Sequence, residues 1–269
     1  MKVRDKVIVV TGAGGGIGRE LVFNLLYKGA KVAAIDINSD ALEETLKQAG
    51  GDGDKVSTHI VNLTDREAVE KLPEQVISCH GTVDGIVNNA GIIHSFVNIN
   101  DLDYDKIKLV MDINFYGTLY MVKSFIPYLL DRPVGHVTNV SSMGGFLPVP
   151  GQSIYGASKA AVKLMTEGLY AELKDTSVNV TVVFPGGVRT DIMKNSKVEG
   201  VPSTNDTDKA HDHLLTPKEA AEIIINGMEK DQYRVLAGKD AKMMDKLYRL
   251  SPQRAVSIIT KQMKKIINK

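Results

Sequence analysis

Lys6-Val7-Ile8-Val9-Val10-Thr11-Gly12-Ala13-Gly14-Gly15-Gly16-Ile17-Gly18-Arg19 runs from a short apolar segment through a glycine cluster straight into a helical pattern. Glycines at such a strand-to-helix turn let the backbone bend tightly and approach a pyrophosphate, whose charge is favoured by the free N–H groups of the helix's first turn. The spacing is Gly12-x3-Gly16-x-Gly18 rather than G-x-G-x-x-G, and a glycine cluster alone can also be a plain tight turn. The next β-rich segment ends in Asp36. A carboxylate there can accept hydrogen bonds from both hydroxyls of an adenosine ribose and repel a 2′-phosphate. No Arg or Lys follows in Ile37-Asn38-Ser39. These features predict NAD in preference to NADP, held by Gly12, Gly14, Gly15, Gly16, Ile17, Gly18, Asp36 and Ile37. The other reading of Asp36 or Asn38 is as the cap of the helix that follows.

Outward from this turn, short apolar runs alternate with amphipathic ones. Lys6 to Val10, Lys31 to Ile35, Val56 to Val61, Val83 to Asn88, Gly135 to Val140, Val178 to Phe184 and Tyr233 to Ala237 read as seven strands. Ile17 to Tyr27, Ala41 to Gln48, Arg66 to Ser78, Asn114 to Leu130, Ser153 to Leu173 and Pro217 to Glu229 carry helical spacing. Near-continuous apolar strands belong to a parallel sheet covered on both faces, so the expected fold is α/β, Rossmann-type and doubly wound. Residues 1–238 are expected to form that domain, and 239–269 a basic helical extension packed on it. In the extension Ala241, Met244, Leu247, Tyr248 and Leu250, then Val256, Ile259, Met263 and Ile266, recur at helical spacing on either side of Ser251-Pro252. Nine basic residues there face two acidic ones, a pattern that suits packing with solvated lysines or contact with an anionic membrane surface.

The 269 residues are 43% hydrophobic and 24% charged, which excludes disorder, and 33 basic against 32 acidic residues give no case for a nucleic-acid partner. One cysteine, Cys79, cannot form an intrachain disulfide and is expected to be a small buried hydrophobe. With no signal-peptide pattern and no long apolar run, the expected location is cytoplasmic.

Further motifs stand at element ends: Asn88-Asn89-Ala90-Gly91, Asn114-Phe115-Tyr116-Gly117, Ser141-Ser142, Tyr155-Gly156-Ala157-Ser158-Lys159 and Pro185-Gly186-Gly187-Val188-Arg189-Thr190. With the glycine turn, this ordered set resembles the short-chain dehydrogenase/reductase family in its single-domain form. The resemblance covers about residues 5 to 238. It implies nicotinamide-dependent oxidoreduction of an alcohol and carbonyl pair, with Asn114, Ser142, Tyr155 and Lys159 catalytic. It also implies cofactor contacts from Asn62, Leu63, Asn89, Ala90, Gly91, Tyr155, Lys159, Pro185, Gly186, Val188 and Thr190. Asn62-Leu63 stands where relatives often have Asp followed by an apolar residue.

The chemistry can also be argued from the residues. A free tyrosine, with a pKa near 10, is a poor base at neutral pH. Tyr155 and Lys159, four apart on a helix, share a face on which an ammonium can stabilise a phenolate. Ser142, thirteen residues before Tyr155, matches the family's spacing better than Ser141 and is expected to orient the substrate oxygen.

Family position places Ile93, His94, Gly144, Phe146, Gly187 and Met193 around the substrate, with Ile92, Gly145, Ile154 and Ile192 beside them. Apart from His94, their apolar or small character predicts an apolar secondary alcohol or ketone. A non-catalytic dinucleotide-sensing protein and an NADP-linked carbonyl reductase are the alternatives. Lys194 to Leu215 lacks a period and is expected to be a lid, with His211 and His213 solvated rather than metal ligands. A homodimer or homotetramer through the two long helices is expected from the family.

Overall fold

Val7–Thr11 form β1, and all five residues are buried, as the coverage of a parallel strand on both faces requires. The computed structural model describes residues 1–50, 55–196, 198 and 214–267, the last without the side chains after residue 263. From β1 the chain continues through α1 (Gly16–Tyr27), β2 (Lys31–Asp36), α2 (Ser39–Gln48), β3 (Val56–Ile60), α3 (Arg66–His80) and β4 (Gly85–Asn88). Then come α4 (Tyr104–Met111), α5 (Thr118–Leu130), β5 (Gly135–Val140), α6 (Ser153–Glu172), β6 (Val178–Pro185) and α7 (Ile192–Asn195). The last elements are α8 (Pro217–Glu229), β7 (Arg234–Ala237), α9 (Lys239–Leu250) and α10 (Pro252–Ile267).

Seven parallel strands lie in the order β3-β2-β1-β4-β5-β6-β7, a Rossmann-type sheet. Val9 pairs with Ala33 of β2 on one side and Ile86 of β4 on the other, so the chain reverses its direction of winding at β1. A crevice opens at such a switch point, beyond the carboxyl ends of the strands. One face of the sheet is covered by α1 and α8 through Leu21, Leu25, Ile224 and Met228. The other face is covered by α3, α5 and α6 through Leu72, Phe125 and Leu169.

Several sequence expectations change. The helix expected to begin at Asn114 begins at Tyr104. Residues Asp112–Gly117 form a π-helical turn joining α4 to α5, which leaves Asn114 in mid-helix. α4 buries only Val110, so its apolar stripe is too weak to read as a helix. Cys79 is exposed rather than buried. The α3 stripe runs through Val69, Leu72 and Val76, and Cys79 falls at its margin as the helix ends.

In the extension, Ala241 and Met244 face inward, but Leu250 is 86% exposed. Ala255, with Ile259 and Met263, takes the inward place expected of Val256, which is half-buried. Val256 lies at the margin of the face on which Ala255 stands one turn before Ile259 and two before Met263. These residues close a third core cluster with Leu147, and Phe96, Met143 and Phe146 pack against it. His211, His213, most of Lys194 to Leu215 and the side chain of Ile266 lie outside the described residues. No described helix is long and apolar enough to cross a membrane.

Met244→Ala, at a nearly fully buried position, is expected to cost about 2–5 kcal/mol in denaturant unfolding. Leu250→Ala should change stability by less than about 0.5 kcal/mol. Equal effects would show that α9 does not pack through this seam.

Candidate active site

The glycine turn forms the floor of a cleft of about 720 Å³ at the switch point. Gly12 has φ +69°, and a Cβ there would lie 3.0 Å from the Ala90 Cα. At Gly18 a Cβ would fall 1.9 Å from the Gly12 carbonyl oxygen, so the turn and α1 meet backbone to backbone. Gly15 caps α1 without any side-chain hydrogen bond, which leaves the first-turn N–H groups available to an anion. The Thr11 hydroxyl accepts from the Asn89 and Ala90 N–H groups at 3.0 and 3.1 Å, tying the end of β4 to the turn.

Asp36 closes the far end of the cleft. Its Oδ2 accepts from the Gly14 N–H at 2.9 Å and its Oδ1 from the Asn38 N–H at 3.1 Å. The cap of α2 is Asn38, whose side chain accepts from the Ala41 N–H, so Asp36 is not spent on that role. The cationic residues among the described cleft lining are Arg19 and Lys159. The Arg19 guanidinium donates to Gly14 O, Ala41 O and Thr45 Oγ1, at 2.6, 3.3 and 2.9 Å.

At the other end, Tyr155 and Lys159 project from the first turns of α6. Lys159 is 4% exposed and its Nζ donates to Val140 O at 2.9 Å. A Cβ at Gly91 would lie 3.0 Å from that Nζ, so glycine makes room for the ammonium. The Asn114 amide donates to Ile92 O and Ser158 Oγ, both at 2.9 Å, and accepts from the Ile92 N–H at 2.8 Å. Asn114 thereby links the β4 loop to α6 from behind the cleft. The Ser141 hydroxyl donates to Lys159 O at 2.7 Å and clamps α6 to the end of β5. Ser142 faces the cleft, and its Oγ accepts from the Gly144 N–H at 3.0 Å.

Burial pushes the Tyr155 phenol up, and a hydrogen bond with Ser142 opposes it. Burial lowers the Lys159 ammonium to about 8. The protein's own groups therefore hold Tyr155 protonated, although the Tyr155–Lys159 spacing suggests a lowered phenol. The cause is the desolvation both groups share at this end of the cleft.

All the cofactor residues named from the sequence line the cleft except Gly18, which lies under the turn, and Ser142, Tyr155 and Lys159 line it with them. Of the substrate residues named, Ile92, Ile93 and Ile192 are on the cleft. His94 is buried behind it and accepts from the Tyr155 N–H through Nε2 at 3.4 Å, near the start of α6. Gly144 packs on the Tyr155 ring, where a Cβ would lie 3.4 Å from Cε1. Phe146 stacks edge-on to Phe184 and belongs to the third core cluster. Gly187 turns away from the cleft, and Met193 is 37% exposed. Sequence reasoning missed Ile113 and Asn195 on the lining. Ile113 adjoins a motif residue, which was an available signal, and Asn195 falls within the Lys194 to Leu215 segment expected to be a lid.

A family model, short chain dehydrogenase, matches residues 6–199, and the chain belongs to that family of oxidoreductases. A Mycobacterium tuberculosis protein named as the oxidoreductase SadH is 38% identical over 250 residues, 91% of this chain and 90% of that one. The 3-oxoacyl-[acyl-carrier-protein] reductase FabG of Thermotoga maritima is 35% identical over 192 residues, 71% of this chain and 77% of its own length. A short chain dehydrogenase/reductase from Burkholderia phymatum, solved with NAD, superposes with TM-score 0.82 at 23% identity, covering 93% of this chain and 96% of its own. One from Burkholderia cenocepacia, solved with NADP, gives TM-score 0.80 at 26% identity, covering 96% and 99%.

Burial of Lys159 couples stability to pH. Between about 8 and the unfolded value of 10.5 the folded protein binds fewer protons than the unfolded one, so this group's contribution to stability rises with pH across that window and is lost as pH falls through about 8. Lys159→Met removes the buried charge. Its stability relative to the unmodified protein should therefore fall by about 2 kcal/mol between pH 7 and 9.5 in denaturant unfolding. A difference independent of pH would show that burial does not disfavour the ammonium.

Proposed function

We propose that the protein transfers a hydride between NAD(H) and a small-molecule alcohol or ketone, with Tyr155 as the proton-transfer residue. The observation that carries this reading is the convergence of Tyr155, Ser142 and Lys159 at one end of a cleft whose other end is the glycine turn and Asp36. The free N–H groups at Gly15 and the glycine cradle fit a pyrophosphate, and Asp36 fits a ribose diol. When bound, NAD supplies the hydride acceptor and a positive ring beside the phenol. Tyr155 takes the alcohol proton or returns it to the ketone oxygen, and Ser142 holds that oxygen by its hydroxyl. Lys159, held by Val140 O, lends its charge to the phenolate.

NAD is favoured over NADP because the Asp36 carboxylate would repel a 2′-phosphate and Arg19, the nearby cation, is committed to backbone and Thr45. An apolar secondary alcohol or ketone is favoured because Ile92, Ile93, Ile113 and Ile192 line the cleft.

Turnover of secondary alcohols followed by NADH absorbance tests both parts. Tyr155→Phe is expected to lower kcat by about 10²-fold or more while leaving NADH affinity near normal. Asp36→Ala is expected to narrow the preference for NAD. Undiminished activity in the first variant would remove Tyr155 from the proton transfer, and equal use of NAD and NADP by the unmodified protein would reject the assignment to Asp36.

The family's symmetric self-association suits this chain as well. Tyr104, Tyr116 and Leu164 stand exposed on α4, the π-helical turn and α6, at 88%, 42% and 69%. Sedimentation is expected to show a dimer or a larger even assembly, which Leu164→Glu weakens; a monomer at every concentration would reject this.

A further inference from the structure

The loop after β6 is fixed on the side away from the cleft by a residue of the C-terminal extension. Asp240, in the first turn of α9, accepts from the Gly187 N–H through Oδ2 at 2.7 Å. Its carboxylate is wedged between glycines. A Cβ at Gly186 would fall 2.2 Å from Oδ1, and one at Gly238 2.3 Å from the same oxygen. Gly238 also has φ +123°, which other residues rarely adopt. The two glycines thus leave room for Asp240, one from the cofactor loop and one from the end of β7.

The same loop is bracketed by Leu215, whose N–H donates to Gly187 O at 3.0 Å and whose carbonyl accepts from the Arg189 N–H at 2.9 Å. In this parallel bridge the flanking residues make the hydrogen bonds, so the N–H and C=O of Val188 point the opposite way. Val188 lines the cleft, as do Pro185, Gly186 and Thr190. Leu215 sets the two peptides of Val188, and the Gly186–Gly187 peptide that leads into them is set by what holds Gly187 from behind. Asp240 holds its N–H, and the charge of the acceptor makes this the stronger kind of hydrogen bond.

We propose that Asp240 is a positioning residue for the nicotinamide half of the cofactor, and that through it the C-terminal extension forms part of the dinucleotide site. This rests on the reading of the cleft as an NAD(H) site. Asp240 does not touch the cofactor; it acts through the Gly186–Gly187 peptide, whose N–H it holds and whose Gly186 lines the cleft. A role confined to the helix α9, as an acid in a first turn, would affect stability but would not distinguish one half of the cofactor from the other.

That distinction is the test. Dissociation constants for NADH and for ADP-ribose, which lacks the nicotinamide, are measured on full-length unmodified protein, Asp240→Asn and Asp240→Ala. Asp240→Ala is expected to weaken NADH about tenfold or more, the loss of one hydrogen bond to a charged acceptor, while ADP-ribose stays within about twofold. Asp240→Asn keeps an acceptor oxygen of the same shape and should recover most of the NADH affinity, with a residual loss of about threefold. It also carries the test should the alanine variant not fold. Parallel losses for both ligands, or no selective loss for NADH, would overturn the proposal. Failure of the unmodified protein to bind either ligand would instead overturn the reading of the cleft on which it rests.

Discussion

Everything at the Tyr155 end of the cleft is arranged around one buried ammonium. Lys159 must reach the end of β4 and β5 from α6 through a space only small groups can leave open. Gly91 admits its Nζ, and a Cβ at Gly145 would meet the Ser141 hydroxyl at 2.6 Å and the Lys159 backbone at 2.9 Å. The ammonium donates to one carbonyl, Val140 O, and the helix that carries it is clamped by Ser141 and by the Asn114–Ser158 contact. The charge is costly at this depth, and the surrounding polar contacts keep α6 in the one position that brings Tyr155 to Ser142. Stability is given up here for rigid placement.

The same logic explains why Asn114 sits in a π-helical turn. A wider turn within a continuous helix shifts the register of the residues after it, and such turns collect at functional sites. Here the side chain of Asn114 bonds both backbone groups of Ile92 and the hydroxyl of Ser158. An irregular feature in one helix thereby joins the loop after β4 to the helix carrying Tyr155 and Lys159.

The extension beyond β7 is built into the wall beside the cleft. Its apolar seam packs on the segment following Ser142, while Asp240 grips the loop following β6. Its other acid, Asp245, pairs with Arg234 of β7 at 3.0 Å, and Arg234 lies 4.8 Å from the centre of the Phe184 ring. Both acids of α9 are thus engaged with the body of the protein, and Lys239, Lys242, Lys246 and Arg249 are left on the exposed side.

The strand sequence, the glycine turn, the acid at the end of β2 and the α6 pair Tyr155 and Lys159 were legible in the sequence because each is a local signal. Apolar runs, a residue without Cβ, a carboxylate at a strand end and a four-residue helical spacing carry their meaning with no distant partner. Where segments are irregular, direction is set by neighbours remote in the chain, and there the reading gave way to the tertiary structure. Only the packing decided that His94 lies behind Tyr155, that Phe146 joins the core under α9, and that Gly187 turns its N–H toward Asp240, 53 residues later. The seam of α10 runs through Ala255, Ile259 and Met263 instead of Val256, since a helical spacing of three or four leaves two candidates and the packing picks one. Which face meets the protein is decided by the break at Ser251-Pro252 and by the surface the helix finds there.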